Sequence, residues 1–514
     1  MENQITTTSG AKGLLQKTEL LFEYGRMDVS GVDVAPISNL HTRLGNMKRK
    51  RAADLPGLTE PEAVRHYVRL SQRNYAIDLG MFPLGSCTMK HNPRLNEAMA
   101  RLPGFADIHP LQPQSTVQGA LELMHELSFW LTTLTGMEAV ALSPKAGAHG
   151  EQCGMLAIRA ALDANGQQHR RRVLVPKSAH GTNPATAAQC GFVVDEIGQT
   201  GNGRVDFADF HAKLGDDVAA VMITNPNTCG LFEPQIKEIA DAIHAAGGYF
   251  YCDGANFNAI VGKVKIAELG VDAMHINLHK TFSTPHGGGG PGSGPTVLSP
   301  ALAPFAPVPL VVKTASGFEL VESEIGEGAQ AFGRMVAFHG QMGMYVRALA
   351  YMLSHGADGL KQVAEDAVLN ANYVLASLKD LMSPAFDGYC MHEALFNDSF
   401  LEGTGVTTLD FAKAMIDEGF HPMTMYFPLV VHGAMLIEPT ETESKNTLDG
   451  FIASMRALAL AATSKDEPQK VEDFLDEAKK TRSHKSKFDH APHLAPSKRL
   501  DEVLAARKPV LKYT

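Results

Sequence analysis

Two stretches of the chain decide its fold: YFYCDGAN at residues 249–256 and MHINLHKT at residues 274–281. Each begins with an apolar run that is typical of a buried strand, and each ends in polar residues. In a parallel sheet the carboxyl ends of the strands meet at one edge, where ligands bind. The pattern therefore predicts that Asp253 and Lys280 reach the same site.

The same alternation extends on both sides of these stretches. Apolar runs at residues 172–175, 192–197 and 219–224 predict further strands, and residues 151–164 and 233–246 predict helices between them. Strands that alternate with helices form βαβ units, which build a parallel or mixed sheet covered on both faces. We therefore predict an α/β fold with a large domain of mostly parallel sheet over residues 90–330.

The flanking segments have a different character. Residues 330–355 are Met-rich and predict a long helix, residues 360–381 predict another, and a further alternation runs to residue 460. This predicts a smaller C-terminal α/β domain over residues 331–465. Residues 1–89 predict an N-terminal arm with helices, and residues 466–514 predict a surface tail.

Composition excludes several classes of function. The 514 residues carry 46 basic and 56 acidic side chains, a net charge of −10, which argues against nucleic-acid or anionic-membrane binding. Residues 281–312 contain no Asp, Glu, Lys or Arg, but seven prolines prevent a membrane-spanning helix. The N-terminal sequence lacks a basic segment followed by an apolar one, so we expect a cytoplasmic protein without membrane attachment.

Metal and disulfide chemistry are not expected either. The six cysteines contain no CxxC pair, so neither a zinc ribbon nor a disulfide framework is indicated. His275 and His279 would share a face of one strand but lie too far apart to chelate one ion. We therefore predict no metal site.

A lysine and an aspartate at neighbouring strand ends suit pyridoxal phosphate (PLP). The Lys280 amine would bind PLP covalently, and the Asp253 carboxylate would keep the pyridine nitrogen protonated. PHGGGGPG at residues 285–292 follows the lysine, and four consecutive glycines allow close backbone approach or a moving loop. The plainer alternatives are a surface lysine and a turn aspartate.

Further cofactor-binding residues are predicted near the other strand ends. Gly147 and Ala148 precede a helix whose N-terminus suits a phosphate, or they form only a helix-entry turn. His180 would stack on the ring or cap a turn, and Asn225 would donate to the ring oxygen or form an Asn-Pro turn. We also predict contacts to the cofactor from three residues beside these positions: Thr228, Ala255 and His279.

Several long motifs resemble the P-protein of the glycine cleavage system. The resemblance lies in MHINLHKTF (274–282) with PHGGGGPG, FPLGSCTMK (82–90), SAHGTNPA (178–185) and EPTETESK (438–445), and it covers most of residues 35–460. It implies an aminotransferase-like fold of type I and PLP as cofactor. It also implies decarboxylation of glycine, with transfer of the aminomethyl group to the lipoyl arm of H-protein.

The length of the chain resembles one half of that family's split form. Subunit 2 of the split form carries the PLP lysine, so the resemblance implies a partner, subunit 1, in a heterotetramer with two of each. We expect residues 300–312 and the N-terminal arm to contribute to that interface. Arg334 and Arg347 are candidates for binding the substrate carboxylate. The alternatives are another PLP-dependent amino-acid decarboxylase or aminotransferase, or a non-catalytic scaffold subunit.

Overall fold

The computed structural model describes residues 20–463, except residues 27, 33–44, 48, 52–54, 72–73, 288–291 and 323–329. The described chain falls into two compact units, divided between Leu79 and Gly80. The N-terminal unit contains helices α1 (Leu21–Tyr24) and α2 (Glu60–Ser71) and a 3-10 helix (Gly45–Met47). The tail predicted over residues 466–514 and residues 1–19 of the predicted arm lie outside the described residues.

A seven-stranded sheet forms the centre of the second unit. Its spatial order is β1-β7-β6-β5-β4-β2-β3, and only β7 runs antiparallel to its neighbours. This confirms the predicted α/β fold with a mostly parallel sheet. The strands are β1 (Ala139–Ala141), β2 (Arg172–Pro176), β3 (Val193–Ile197), β4 (Val218–Thr224), β5 (Tyr249–Gly254), β6 (Ala273–Ile276) and β7 (Thr296–Leu298).

Helices accompany this sheet along the chain, and its two faces belong to two hydrophobic clusters. Phe250 of β5 belongs to one cluster and the next residue, Tyr251, to the other, because successive side chains of a strand point to opposite faces. Every residue of β4 is buried, which explains its unbroken apolar run. The helices are α3 (Arg94–Ala100), α4 (Pro103–Ala106), α5 (Gln118–Thr135), α6 (Gly147–Ala164), α7 (Thr182–Gln189), α8 (Phe207–Lys213), α9 (Ile236–Ala245), α10 (Leu278–Thr281) and α11 (Met342–Leu378).

A second, antiparallel sheet has a core of its own. It contains β10 (Ser383–Pro384), β11 (Ala394–Asn397), β12 (Thr424–Met425) and β13 (Met435–Ile437), in the spatial order β10-β11-β13-β12. Along the chain, α12 (Thr408–Asp417) lies between β11 and β12, and α13 (Lys445–Thr463) follows β13. Phe396, Phe411 and Phe451 are fully buried there. Strands β8 (Leu310–Thr314) and β9 (Gly317–Val321) form a separate hairpin. The division of the chain at residues 89, 330 and 465 stays a prediction.

Some local predictions were wrong. The helix predicted over residues 330–355 begins only at Met342, and it continues to Leu378 with a kink at Gly356, where φ is +63°. The strand predicted at the start of MHINLHKT ends at Ile276, and α10 begins two residues later. None of the helices in the described part of the chain is long and apolar enough to cross a membrane.

The predicted interface segment 300–312 also behaves differently from the expectation. It contains a 3-10 helix (Ala303–Phe305) and enters β8. Leu302, Phe305 and Val308 are buried within the chain itself, and Leu302 and Phe305 belong to one of the clusters beside the large sheet. Proline spacing concealed this, because the apolar residues between the prolines pack inward without a regular period. Leu302, Phe305 and Val308 are therefore not available to a partner, whereas Leu310, Val311 and Val312 are half-buried, and a contribution of this segment to an interface stays a prediction.

Candidate active site

Asp253 and Lys280, which were predicted to reach the same site, line one cavity. Asp253 lies at the end of β5, and its register partner on the adjacent strand β6 is His275. Lys280 follows on α10, one turn beyond the end of β6. The cavity has a volume of about 200 Å³, and Lys280 Nζ makes no hydrogen bond or ion pair with the described residues. The lining residues are Ser86, Gly147, Ala148, Glu151, His180, Thr182, Thr224, Thr228, Asp253, Ala255, Asn256, His275, Asn277, His279 and Lys280.

Asp253 is buried but well supplied with donors. Its carboxylate accepts hydrogen bonds from Asn183 Nδ2 and from the Ala255 N–H, both at 2.9 Å. Burial acts to raise the pKa of Asp253, but His275, these two donors and Lys280 together hold it below its usual value. The side chain is therefore an anion at neutral pH, aimed into the cavity.

Glu151 was missed as a site residue, although it lies next to the predicted Gly147–Ala148 turn. It is buried in the first turns of α6 and accepts hydrogen bonds from Thr182 Oγ1 at 2.7 Å and Asn183 Nδ2 at 3.0 Å. The Asn183 amide thus bridges Glu151 and Asp253. Burial, with Asp253 nearby, raises the pKa of Glu151 to about 7. A glutamate facing the buried side of an otherwise apolar helix was the available signal.

Burial disfavours the charged form of the imidazoles around the cavity. His275 is buried, with Nδ1 2.6 Å from the Tyr251 hydroxyl and Nε2 2.9 Å from Asn277 Oδ1. Burial lowers the pKa of His275, and it lowers that of His279 to about 3, where His286 and Lys280 add to the effect. His180 lies at the more exposed rim, where partial burial again lowers its pKa.

The start of α6 forms a cradle of backbone at one end of the cavity. A Cβ atom on Gly147 would lie 2.6 Å from Asn277 Nδ2 and 3.2 Å from His275 Nε2, so only glycine fits there. No side chain caps this 18-residue helix. Its first N–H groups and its dipole therefore suit the phosphate of PLP.

Two unpartnered polar atoms lie on the β4 side. Thr224 Oγ1 and Asn225 Nδ2 are buried without hydrogen-bond partners among the described residues. Thr228 is engaged, because its hydroxyl donates to the Ser178 carbonyl. Buried polar atoms without partners are costly, so these two suit an oxygen of the cofactor. With the lysine, the aspartate and the phosphate cradle, the residues present fit PLP.

Neither predicted arginine lines the cavity. Arg347 donates from Nε and Nη2 to both carboxylate oxygens of Glu97, at 2.7 and 3.0 Å. Arg334 contacts Glu322. Both guanidinium groups are thus already paired, so the expectation that one of them binds the substrate carboxylate has no support here.

The fold and the cavity define an aminotransferase-like protein of fold type I. Residues 149–289 match the family described as aminotransferase class-V, and residues 363–493 match glycine dehydrogenase, C-terminal domain. A crystal structure of glycine decarboxylase (P-protein) of the glycine cleavage system, in inhibitor-bound form, superposes with a TM-score of 0.66. It is 22% identical and covers 80% of this chain and 93% of that one.

Sequence relatives narrow the assignment. A probable glycine dehydrogenase (decarboxylating) subunit 2 of Caulobacter vibrioides is 68% identical over 510 residues, 99% of this chain and 94% of the relative. Its namesake from Listeria innocua is 49% identical over 465 residues, 90% of this chain and 91% of the relative. The chain belongs to the glycine dehydrogenase (decarboxylating) subunit 2 family.

Proposed function

We propose that this chain binds PLP at Lys280, decarboxylates glycine and passes the aminomethyl group to the lipoyl arm of H-protein in the glycine cleavage system. The observation that carries the proposal is the convergence of Lys280 and Asp253 on one cavity in a member of the subunit 2 family. A cavity of about 200 Å³ is smaller than the roughly 300–1,000 Å³ of common ligand pockets. Because the same cavity would have to hold PLP as well, it favours a small amino acid as substrate.

Each residue of the cavity has a proposed task. PLP, when bound, delocalises the electron pair that the departing carboxylate leaves behind. Asp253, held ionised by its donors, keeps a proton on the ring nitrogen. The N–H groups at Gly147 and Ala148 hold the phosphate, and Asn225 donates to the ring oxygen. His180, Ala255, Thr228 and His279 complete the walls around the cofactor.

Transfer to a lipoyl arm requires that water be kept out, because water would protonate the reacting carbon first. The buried side chains of Asp253, Asn256 and His275 already exclude solvent from the inner end of the cavity. We propose that the arm of H-protein closes the outer end. Glycine–bicarbonate carboxyl exchange should then be faster with lipoylated H-protein than without it.

We also propose that the chain works with a subunit 1, two of each in a heterotetramer. The relatives are named subunit 2. In the N-terminal unit, Val64, Tyr67 and Val68 of α2 are 54%, 58% and 48% exposed. Apolar side chains at spacings of three and four share one helix face, which suits a partner. The cytoplasmic location stays a prediction.

The decisive experiment is glycine decarboxylation and carboxyl exchange by the purified chain, with and without subunit 1 and H-protein. We expect activity only with subunit 1, and aminomethyl product bound to H-protein. Release of free methylamine without H-protein would instead indicate an ordinary amino-acid decarboxylase. Full activity of subunit 1 alone would indicate that this chain is a scaffold.

A further inference from the structure

Three buried side chains beside Lys280 have no role in the reaction proposed above. His392 and Glu393 directly precede β11, and Glu438 directly follows β13, which is paired with β11. All three are 0% exposed. Both ring nitrogens of His392, Glu393 Oε2 and Glu438 Oε1 lack hydrogen-bond partners among the described residues. His392 Nε2 lies 4.0 Å from the first of these oxygens and 3.8 Å from the second.

The other two carboxylate oxygens hold a backbone turn. Glu393 Oε1 accepts the N–H of Ser86, and Glu438 Oε2 accepts the N–H of Thr88 at 2.8 Å. Both turn residues have left-handed backbone, with φ of +62° and +50°, which disfavours a side chain. Ser86 lines the cavity of Lys280. The carboxyl pair thus fixes a strained turn at the edge of the active site.

Two ionised carboxylates are not stable together in such a place. Burial, with Glu438 beside it, raises the pKa of Glu393 well above its usual range, and burial raises that of Glu438 to about 7. Burial lowers the pKa of His392 to about 3, so the imidazole supplies no charge. The hydrogen bonds from Ser86 to Glu393 and from Thr88 to Glu438 lower these pKa values in part, and the charge of Lys280 lowers both. The remaining titratable groups that act on the pair or respond to it are Lys90, Glu441, Cys87, Cys229 and Cys390.

A metal ion suits the cluster less well than a proton. The ligand atoms of the three residues lie within 4.8 Å of one another. However, separations of 3.8 and 4.0 Å exceed the roughly 3.4 Å between ligands that sit about 2.1 Å from a tetrahedral ion. Each carboxylate also already uses one oxygen on a backbone N–H. Lys280 nearby would oppose a divalent cation.

We propose that Glu393 and Glu438 share one proton and in that state act as positioning residues, holding the Ser86–Thr88 turn at the edge of the Lys280 cavity. Loss of that proton leaves two like charges side by side and loosens the turn. The inference deepens the proposed function, because it concerns the same cavity. It does not require the cofactor.

Amide hydrogen exchange of the full-length chain tests the shared proton. Mass spectrometry measures exchange at the Ser86 and Thr88 amides from pH 6 to 9, with and without PLP. After correction for the intrinsic exchange rate, we expect protection to fall by up to about tenfold per pH unit as the pH rises towards the pKa of the pair, and to level off above that pKa. A pH-independent protection in the wild-type chain would overturn the proposal.

The Glu438→Gln variant distinguishes an effect of the shared proton from an effect of side-chain packing. The Gln oxygen can accept the Thr88 N–H while its amide donates to Glu393, which imitates the protonated pair. We expect this variant to keep protection at every pH, whereas Glu438→Ala loses it throughout. If the alanine variant does not fold, the glutamine variant still decides, because an unchanged pH slope there would overturn the proposal. Glu443→Gln is the control: burial also raises the pKa of Glu443 to about 7, but the variant should leave the wild-type slope intact.

Elemental analysis completes the test. A stoichiometric divalent metal that is lost in His392→Ala would show that the cluster is a metal site, and it would overturn the proposal of a shared proton. Amide exchange is measured without PLP as well, so it tests the turn independently of the reaction. If exchange at the turn does not depend on pH while glycine decarboxylation is intact, only the proposed role of the carboxyl pair is wrong. Loss of decarboxylation with the pH-dependent exchange intact would remove only the proposed function.

Discussion

Lys90 and Glu441 form an ion pair of 2.6 Å in which the side chains are only 1% and 7% exposed. Lys90 Nζ also donates to the Thr281 carbonyl at 2.8 Å and to Asn258 Oδ1 at 2.9 Å. Thr281 follows the proposed PLP lysine directly. The pair therefore ties two distant motifs to the segment that carries Lys280.

Lys90→Met should destabilise the chain strongly, because it leaves Glu441 buried without its cation and removes a donor from the Thr281 carbonyl. Breaking a buried pair on one side costs about 3–5 kcal/mol. Urea unfolding measures the change. Lys445→Met is the matched control, since Lys445 pairs with Asp449 at 2.7 Å but is 71% exposed. That variant should lose much less, because water screens an exposed pair, and equal losses in the two would contradict the prediction.

The sequence predicted the positions of Asp253 and Lys280 because each of them follows its strand directly or closely in the chain. The apolar run of β5 and the aspartate that ends it can be read together, and so can β6 and Lys280. Lys90 and Glu441 are 351 residues apart, and no local period relates them. The motifs that contain them indicate a resemblance to a family, but they do not predict that the two side chains are in contact.

The same limit applies to what was missed or wrong. Glu151 is the first residue of the predicted helix 151–164, yet its bridge to Asp253 through Asn183 depends on side chains from three elements. Arg347 suited a carboxylate by chemistry, but its partner is Glu97 rather than the substrate. Residue type thus predicted what a side chain can bind, and only packing determined what it does bind.

Lys280→Ala should abolish the covalent link to PLP and reduce glycine decarboxylation by several orders of magnitude. The reason is that no other lysine lines the cavity among the described residues. Absorbance, borohydride reduction and peptide mapping measure the link. Lys177→Ala, which alters an exposed lysine paired with Glu196, is the control. A reducible adduct that persists on another lysine would reject the assignment.

Asp253→Asn should keep the fold but slow the chemical step, because an amide cannot hold a proton on the ring nitrogen. We expect kcat to fall by about 10²-fold or more, with a smaller change in KM, consistent with an interaction that matters in the transition state. Asp217→Asn, at an exposed ion pair with Arg172, serves for comparison. Near-normal turnover of the Asp253 variant would remove this residue from the reaction.

Glu151→Gln should change how stability depends on pH. The folded pKa of Glu151 is raised to about 7 from 4.5, so its folded form binds the proton more tightly than the unfolded chain does. Its contribution is full below pH 4.5 and is lost as the pH rises through 7. The variant should therefore show a flatter decline in the free energy of unfolding between pH 4.5 and 7. An unchanged slope would contradict the raised pKa.

The exposed face of α2 is the proposed contact with subunit 1. If Val64 and Val68 contact subunit 1, Val64→Glu/Val68→Glu should abolish assembly, because two carboxylates would lose water in an apolar interface. The folded chain itself should keep its stability, since both side chains are about half exposed. Analytical ultracentrifugation of mixtures with subunit 1 measures the assembly. Arg65→Glu changes the net charge by the same −2 at a neighbouring exposed position, so a loss caused only by charge would appear in that variant too. A heterotetramer of unchanged affinity with the double variant would place the interface elsewhere.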